Sequence, residues 1–309
     1  MTATTGVLVM AHGTPTRRQD VAAYYTRIRR GRPPSDEQLA ELLDRYDAIG
    51  GLSPLAERTD AQVRGIAETL EARHPGAFDV RLGTKHTSPS IEETAASFLA
   101  DGILTVIGLV LAPHFSTLGT GEYLERAAQA LAPEATFIAI EQWYDAPGFA
   151  ELLATRLLEA RELLEEAVRD EALVLFTAHA LPLRVLEGDV YPAQLAESAQ
   201  LVADSAGLRG FEVGWQSAGL TPEPWIGPDV LEVIEALPDR GLTAIVVCPI
   251  GFVSDHLEVL YDLDIQAQEA ARLRGIQLVR TRSLNDDPAL VSLLAELVAS
   301  VTATTEERT

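Results

Sequence analysis

Eight short apolar runs punctuate the chain, at residues 6–10, 78–82, 104–111, 136–140, 173–178, 211–215, 244–249 and 277–281. They are rich in Val, Leu and Ile, and most do not alternate with polar residues. That pattern suits strands buried on both faces of a parallel sheet. Between them lie amphipathic segments with helical spacing, at 61–73, 91–100, 151–168, 193–206 and 259–273. Ser90 with Glu93 three residues later predicts a capping box opening one of these, and Pro147, Pro192 and Pro228 stand where helices can start. Strand–helix alternation of this kind predicts an α/β, doubly wound fold. A chain of 309 residues has room for about two domains at roughly 100–200 residues each.

The eight strands divide four and four, and the halves resemble each other. Val7-Leu8-Val9-Met10-Ala11-His12-Gly13 resembles Val174-Leu175-Phe176-Thr177-Ala178-His179-Ala180, and Val110-Leu111-Ala112-Pro113 resembles Val246-Val247-Cys248-Pro249. The two histidines stand farther apart than the two prolines. The first half therefore carries extra chain after its first strand, read as about 29–60. The expectation is two Rossmann-like domains, each with a four-stranded parallel sheet, related by an internal pseudo-repeat, with a cleft between them. Their spans are 1–145 and 146–309, with the last helix packing back on the first half. Ligands of open α/β sheets bind beyond the carboxyl ends of the strands. The residues expected there are His12, Lys85, His86, His114, His179, Trp215, Gln216 and the segment after Pro249.

Charge narrows the partners. Lys and Arg total 24 against 46 Asp and Glu, a net charge of -22. Such acidity argues against nucleic acid, which favours a basic face, and against docking on anionic lipid. The single cysteine, Cys248, excludes an intramolecular disulfide and a four-cysteine metal site. Its apolar neighbours predict a core thiol. No signal-peptide series and no apolar run of about 18 residues is present, and a cytoplasmic protein is expected.

Two segments carry chemistry. In Gly251-Phe252-Val253-Ser254-Asp255-His256-Leu257-Glu258-Val259-Leu260-Tyr261-Asp262, a helix starting near Asp255 puts Glu258 and Asp262 one turn apart on one face. Carboxylates so spaced, near a strand-end histidine, suit a path for a transition metal. The same pattern also describes a solvated helix face capped by Ser254 or Asp255. The second segment holds Arg27, Arg29, Arg30 and Arg32, followed by Arg45-Tyr46 and Gly50-Gly51-Leu52-Ser53-Pro54. Guanidinium groups grip carboxylates or phosphates with paired hydrogen bonds, so this region reads as an anion clamp, or as arginines salt-bridged to neighbouring helices. No glycine-rich nucleotide motif accompanies it.

These segments, with Leu111-Ala112-Pro113-His114-Phe115-Ser116, Ala178-His179-Ala180-Leu181-Pro182, Gly214-Trp215-Gln216-Ser217 and Pro224-Trp225-Ile226-Gly227-Pro228, resemble the ferrochelatase family nearly end to end. Gly83-Thr84-Lys85-His86 and the lone cysteine resemble its coproporphyrin-using branch. The resemblance implies an enzyme of haem biosynthesis that inserts ferrous iron into a propionate-bearing porphyrin, coproporphyrin III being favoured over protoporphyrin IX. It implies that His179 and Glu258 bind iron or take pyrrole protons, with Asp262 continuing the metal path. Arg29, Arg45, Ser53 and Tyr123 hold propionates, and His12, Lys85 and His86 lie against the porphyrin. Ferrous iron is then a substrate, no cofactor is required, no iron–sulfur cluster is expected, and neighbouring haem-pathway enzymes are transient partners. Two positions depart from the family: His12 stands where the coproporphyrin branch usually has tyrosine, and Gln266 where some members have a carboxylate. A cobalt or iron chelatase of sirohydrochlorin-like rings and a non-catalytic porphyrin carrier are the alternatives.

Overall fold

The structure is a computed structural model that describes residues 4–219 and 221–306. The chain divides into two compact units, one from Met1–Ala112, Leu118–Trp143 and Asn285–Thr309, the other from Pro113–Thr117 and Tyr144–Leu284.

The first unit contains β1 (Thr5–Ala11), β2 (Phe78–Thr84), β3 (Thr105–Val110) and β4 (Thr136–Ile140), paired in the order β2-β1-β3-β4, all parallel. The second contains β5 (Leu173–His179), β6 (Glu212–Gln216), β7 (Ala244–Cys248) and β8 (Gln277–Arg280), in the order β6-β5-β7-β8, also all parallel. The identical order bears out the repeat read from the sequence. The middles of the central strands β1 and β7 are apolar, as suits strands covered on both faces, and Val7, Leu8, Val9, Met10, Ile245, Val246 and Val247 are fully buried. In the second unit the core continues through Leu175, Ile234, Val259 and Leu263.

Between β1 and β2 the chain forms helices Val21–Ile28, Asp36–Ala48 and Leu55–Arg73, whereas between β5 and β6 it forms Leu183–Leu186 and Tyr191–Ala206. The extra chain of the first half is thus helical. Ser35 opens Asp36–Ala48 with a capping box to Gln38, and Ser90 opens Ile91–Ala100 with one to Glu93. The last helix, Pro288–Glu306, belongs to the first unit. Leu290, Leu294 and Val298 are fully buried along it, and Ser292 and Glu296 both bond Arg73 of Leu55–Arg73.

Two helical readings need correction. The single helix expected at 151–168 is broken into Phe149–Arg161 and Glu166–Arg169. Arg169 folds back to donate to the carbonyls of Glu162 and Leu164, satisfying groups a continuous helix would have bonded internally. The segment 259–273 is a π-helix, Val259–Ala267, running into the α-helix Gln268–Leu273. Ser254 does not cap it, its hydroxyl being buried without a hydrogen-bond partner, and Asp255 accepts from Ser283 at 2.7 Å and lies 3.4 Å from Arg280.

Candidate functional site

The order β6-β5-β7-β8 reverses direction between β5 and β7, and the crevice at such a switch point is where open α/β sheets bind ligands. His179 is the last residue of β5. The loop after β7 reaches it because Gly251 donates its N–H to the Thr177 carbonyl at 3.1 Å. A Cβ on Gly251 would stand 2.5 Å from the Ala178 Cβ, so only glycine permits this approach. The loop then delivers His256 and Glu258 to the end of β5.

His179 Nε2 lies 3.6 Å from Glu258 Oε1, and His256 Nε2 lies 3.5 Å from Glu258 Oε2. One carboxylate is therefore shared by two imidazoles. His179 Nδ1 lies 2.5 Å from the Ala180 carbonyl. A carbonyl only accepts, so Nδ1 carries a proton and Nε2 is the nitrogen that exchanges one or takes a ligand. Removal from water disfavours the imidazolium, but the charge and hydrogen bond of Glu258, then Ala180 and Asp262, outweigh it, and His179 is pushed up to about 9. Burial raises Glu258 in turn, yet the two histidines hold it well below the usual carboxylate range. The resting state near neutrality is an imidazolium–carboxylate pair.

Asp262 is buried at 6% exposure, and its Oδ2 accepts from the Ser217 hydroxyl at 2.5 Å. Among the described residues no three His, Cys, Asp or Glu side chains are gathered so as to hold a metal ion. Of the expected ligands, His179 and Glu258 pair with each other, and Asp262 accepts from Ser217. His256 and Ser217 were missed by sequence reasoning, although His256 precedes Glu258 by two residues in the same loop.

In the first unit, His12 follows β1 as His179 ends β5. Its Nδ1 lies 3.0 Å from the Gly13 carbonyl, repeating the His179–Ala180 contact, and its ring is 4.6 Å from that of His86. Gly13 has a φ of 79, and a side chain there would collide with Thr87. Burial, followed by the His12 imidazole and the Lys85, Arg126 and Arg27 charges, pushes His86 down to about 3. Lys85 is also lowered by burial, against the pull of Glu122 3.0 Å from its Nζ, and it sits 4.9 Å from the Tyr123 ring centre. Arg27, Ile28, Arg30, Gly31, Lys85, His86, Leu118, Glu122 and Arg126 line a pocket of about 480 Å³. Arg126 is fixed there by Glu92 at 2.7 and 2.8 Å.

Other expected anion ligands do not line this pocket. Arg29 bonds the Arg32 carbonyl and lies 5.5 Å from the Tyr25 ring centre. Arg45 pairs with Glu41 at 2.9 Å. Ser53 accepts from the Leu55 N–H at 3.3 Å, opening the helix Leu55–Arg73. Tyr123 is buried, which raises its pKa. Arg126 was missed; its signal was its place one helical turn after Glu122, beside Tyr123. His114, expected at a strand end, is buried with its ring stacked 5.4 Å from Tyr144, and burial pushes it down to about 3.

Two units, each with a four-stranded parallel sheet and its own switch point, define a two-domain α/β protein. The ferrochelatase family model matches residues 4–302, and the chain belongs to the ferrochelatase family. It is 44% identical to the coproporphyrin III ferrochelatase of Geobacillus kaustophilus, over 96% of this chain and 95% of that one. It is 42% identical to the coproporphyrin III ferrochelatase of Bacillus subtilis, over 95% and 96%. In fold it is similar to SirB from Bacillus subtilis, solved with Fe3+, at a TM-score of 0.59 and 12% identity over 98% of each chain. No helix among the described residues is long and apolar enough to cross a membrane.

Proposed function

We propose that the protein is a coproporphyrin III ferrochelatase acting in the cytoplasm. The observation that carries this is the His179–Glu258 pair at the switch point of the second sheet, where Nε2 and Oε1 stand 3.6 Å apart. Inserting a divalent metal into a porphyrin releases two pyrrole protons, so the protein must hold a cation and accept protons at one place. A ferrous ion arriving at Glu258 drives the His179 proton out to solvent, because the two cations compete for the same carboxylate. The neutral imidazole then binds the ion or takes a pyrrole proton. Asp262 supplies a further carboxylate on the approach.

The first unit supplies the anion chemistry. Among the described residues, Arg27, Arg29, Arg30 and Arg32 form no ion pair, in a chain of net charge -22. Cations without acidic partners are ready for substrate carboxylates. Arg29, Arg45, Ser53 and Tyr123 serve the propionates in this reading, while His12, Lys85 and His86 contact the ring. Ferrous iron enters as substrate, no resident cofactor takes part, and the product passes to a neighbouring enzyme of haem synthesis. Anaerobic incubation with ferrous iron and either coproporphyrin III or protoporphyrin IX tests the reading. Faster formation of iron coproporphyrin is expected. Equal rates would remove the substrate assignment, and no metalation of either ring would remove the enzyme.

A further inference from the structure

The helix Val21–Ile28 ends in a Schellman turn. Gly31 N–H bonds the Thr26 carbonyl at 2.9 Å, and Arg30 N–H bonds the Arg27 carbonyl at 3.0 Å. The residue that takes the left-handed conformation in such a turn is ordinarily glycine. Here it is Arg30, with φ at 53, and the glycine comes one place later. A Cβ makes this conformation unfavourable, and strain of this kind gathers where a side chain has to be presented to a ligand.

Arg30 lines the first-unit pocket of about 480 Å³. Arg27, Lys85 and Arg126 line it too, and Glu122 is the one carboxylate among its described lining residues. Lys85 is 11% exposed and lies 3.0 Å from Glu122. Arg126 is held by Glu92 and donates to the Lys85 carbonyl at 3.1 Å. Arg27 donates from Nε to the His86 carbonyl at 2.8 Å. Neither Arg27 nor Arg30 forms an ion pair among the described residues. The pocket is therefore weighted to positive charge in a chain of net charge -22. One carboxylate, that of Glu122, already lies against its Lys85 wall. A second carboxylate matches Arg27 and Arg30, since guanidinium groups take that group with paired hydrogen bonds.

The residues given to the propionates above, Arg29, Arg45, Ser53 and Tyr123, do not line this pocket. It adds capacity for further carboxylates. Protoporphyrin IX carries propionate arms on two of its pyrroles, whereas coproporphyrin carries them on all four. We infer that Arg30 and Glu122 set the choice between these porphyrins: Arg30, with Arg27, takes a carboxylate arm that protoporphyrin IX lacks, and Glu122 limits how tightly that arm is held. This rests on the reading of the first unit as the seat of the propionates, which also gives Lys85 and His86, two walls of the pocket, to the ring. Glu122 opposes an arriving carboxylate twice, by engaging Lys85 and by its own like charge. The effect therefore has opposite signs at two residues of one pocket.

The test is a fluorescence titration of the whole protein with coproporphyrin III and with protoporphyrin IX, at one ionic strength because salt screens exposed charges. Arg30→Gly suits a φ of 53, so its melting temperature is expected to equal or exceed that of wild type. Its affinity for coproporphyrin III is expected to fall roughly threefold to tenfold, the scale of a charge-assisted contact at an open site, while that for protoporphyrin IX stays within about twofold. Glu122→Gln is expected to move the ratio of the two affinities the other way, by roughly threefold or more. An unchanged ratio in either variant overturns the inference. So does an Arg30→Gly protein that melts earlier and loses both porphyrins alike, which is the mark of a structural role. Calorimetry with succinate and with inorganic phosphate covers a free anion: affinity for either that falls in Arg30→Gly, with the porphyrin ratio as in wild type, also overturns it. Iron insertion by wild type is measured separately. Ratio shifts of both signs with no insertion leave the inference standing and remove the iron reading, and insertion with an unchanged ratio removes the inference alone.

Discussion

At the scale of single residues, the His179 side chain decides both reactivity and pH dependence. His179→Ala removes the group that exchanges protons at the strand end, and loss of a general acid–base typically costs about 10²–10⁴ in rate. Metal insertion into porphyrin is expected to fall by that amount while porphyrin binding, followed by fluorescence, stays within about tenfold; wild-type turnover in this variant removes His179 from the mechanism. With its pKa raised to about 9, His179 in the free protein is protonated near neutrality, and metal must displace that proton. Apparent metal affinity is therefore expected to rise close to tenfold per pH unit below about pH 9 and to level off above it, one proton leaving per ion bound. A flat profile between pH 7 and 9 contradicts the pair. The same shift acts on stability. A group whose folded pKa is raised stabilises the fold fully below its ordinary value near 6.5, and that contribution is lost as pH rises through about 9. The melting temperature of wild type relative to Glu258→Gln is expected to show its largest advantage between about pH 5 and 6.5 and a shrinking one towards pH 9.

At the scale of elements, the loop after β7 matters more than the helix it feeds. Its course depends on Gly251 lying against Ala178, where an added Cβ would come within 2.5 Å of the Ala178 Cβ and 2.9 Å of its Cα. Gly251→Val forces the loop off β5, and overpacking of this kind costs about 1–3 kcal/mol. Unfolding in denaturant should show that loss. Insertion should fall further than stability explains, because His256 and Glu258 ride on the displaced loop. Activity equal to wild type at a temperature where the variant is fully folded contradicts this account. The π-helix is held from outside as well, Asp264 by Arg280 and Asp262 by Ser217.

At the scale of the molecule, each unit completes its own core, but the first one does so with distant chain. Its last helix, Pro288–Glu306, arrives after the whole of the second sheet and buries Leu290, Leu294 and Val298 completely. Leu294→Ala is expected to destabilise the protein by about 2–5 kcal/mol, the usual range for a truncated core leucine. Hydrogen exchange should show the loss in the first unit, around Leu55–Arg73, with β5 and β7 protected as in wild type. Loss of protection confined to the second unit would mean the helix is misassigned.

The sequence by itself determined the periods of its elements and pointed to candidate positions for the chemistry. Short apolar runs placed eight strands to within a residue or two, most clearly the inner strands, whose burial on both faces favours Val, Leu and Ile. The repeated strand-end histidine and proline fixed the two-half plan. His179 and Glu258 were legible because each stands at a strand end or just beyond, where the fold class puts its ligands. Tertiary structure alone decided the rest. The π-helix cannot be read from a segment whose apolar spacing also suits an α-helix. That Asp262 answers to Ser217, and Glu258 to two histidines, depends on three strand ends meeting in one register. Arg126 enters the first-unit pocket because Glu92, on another helix, orients it. Local spacing sets what a segment presents, but partners from distant segments set which of its side chains are held, shared or left open.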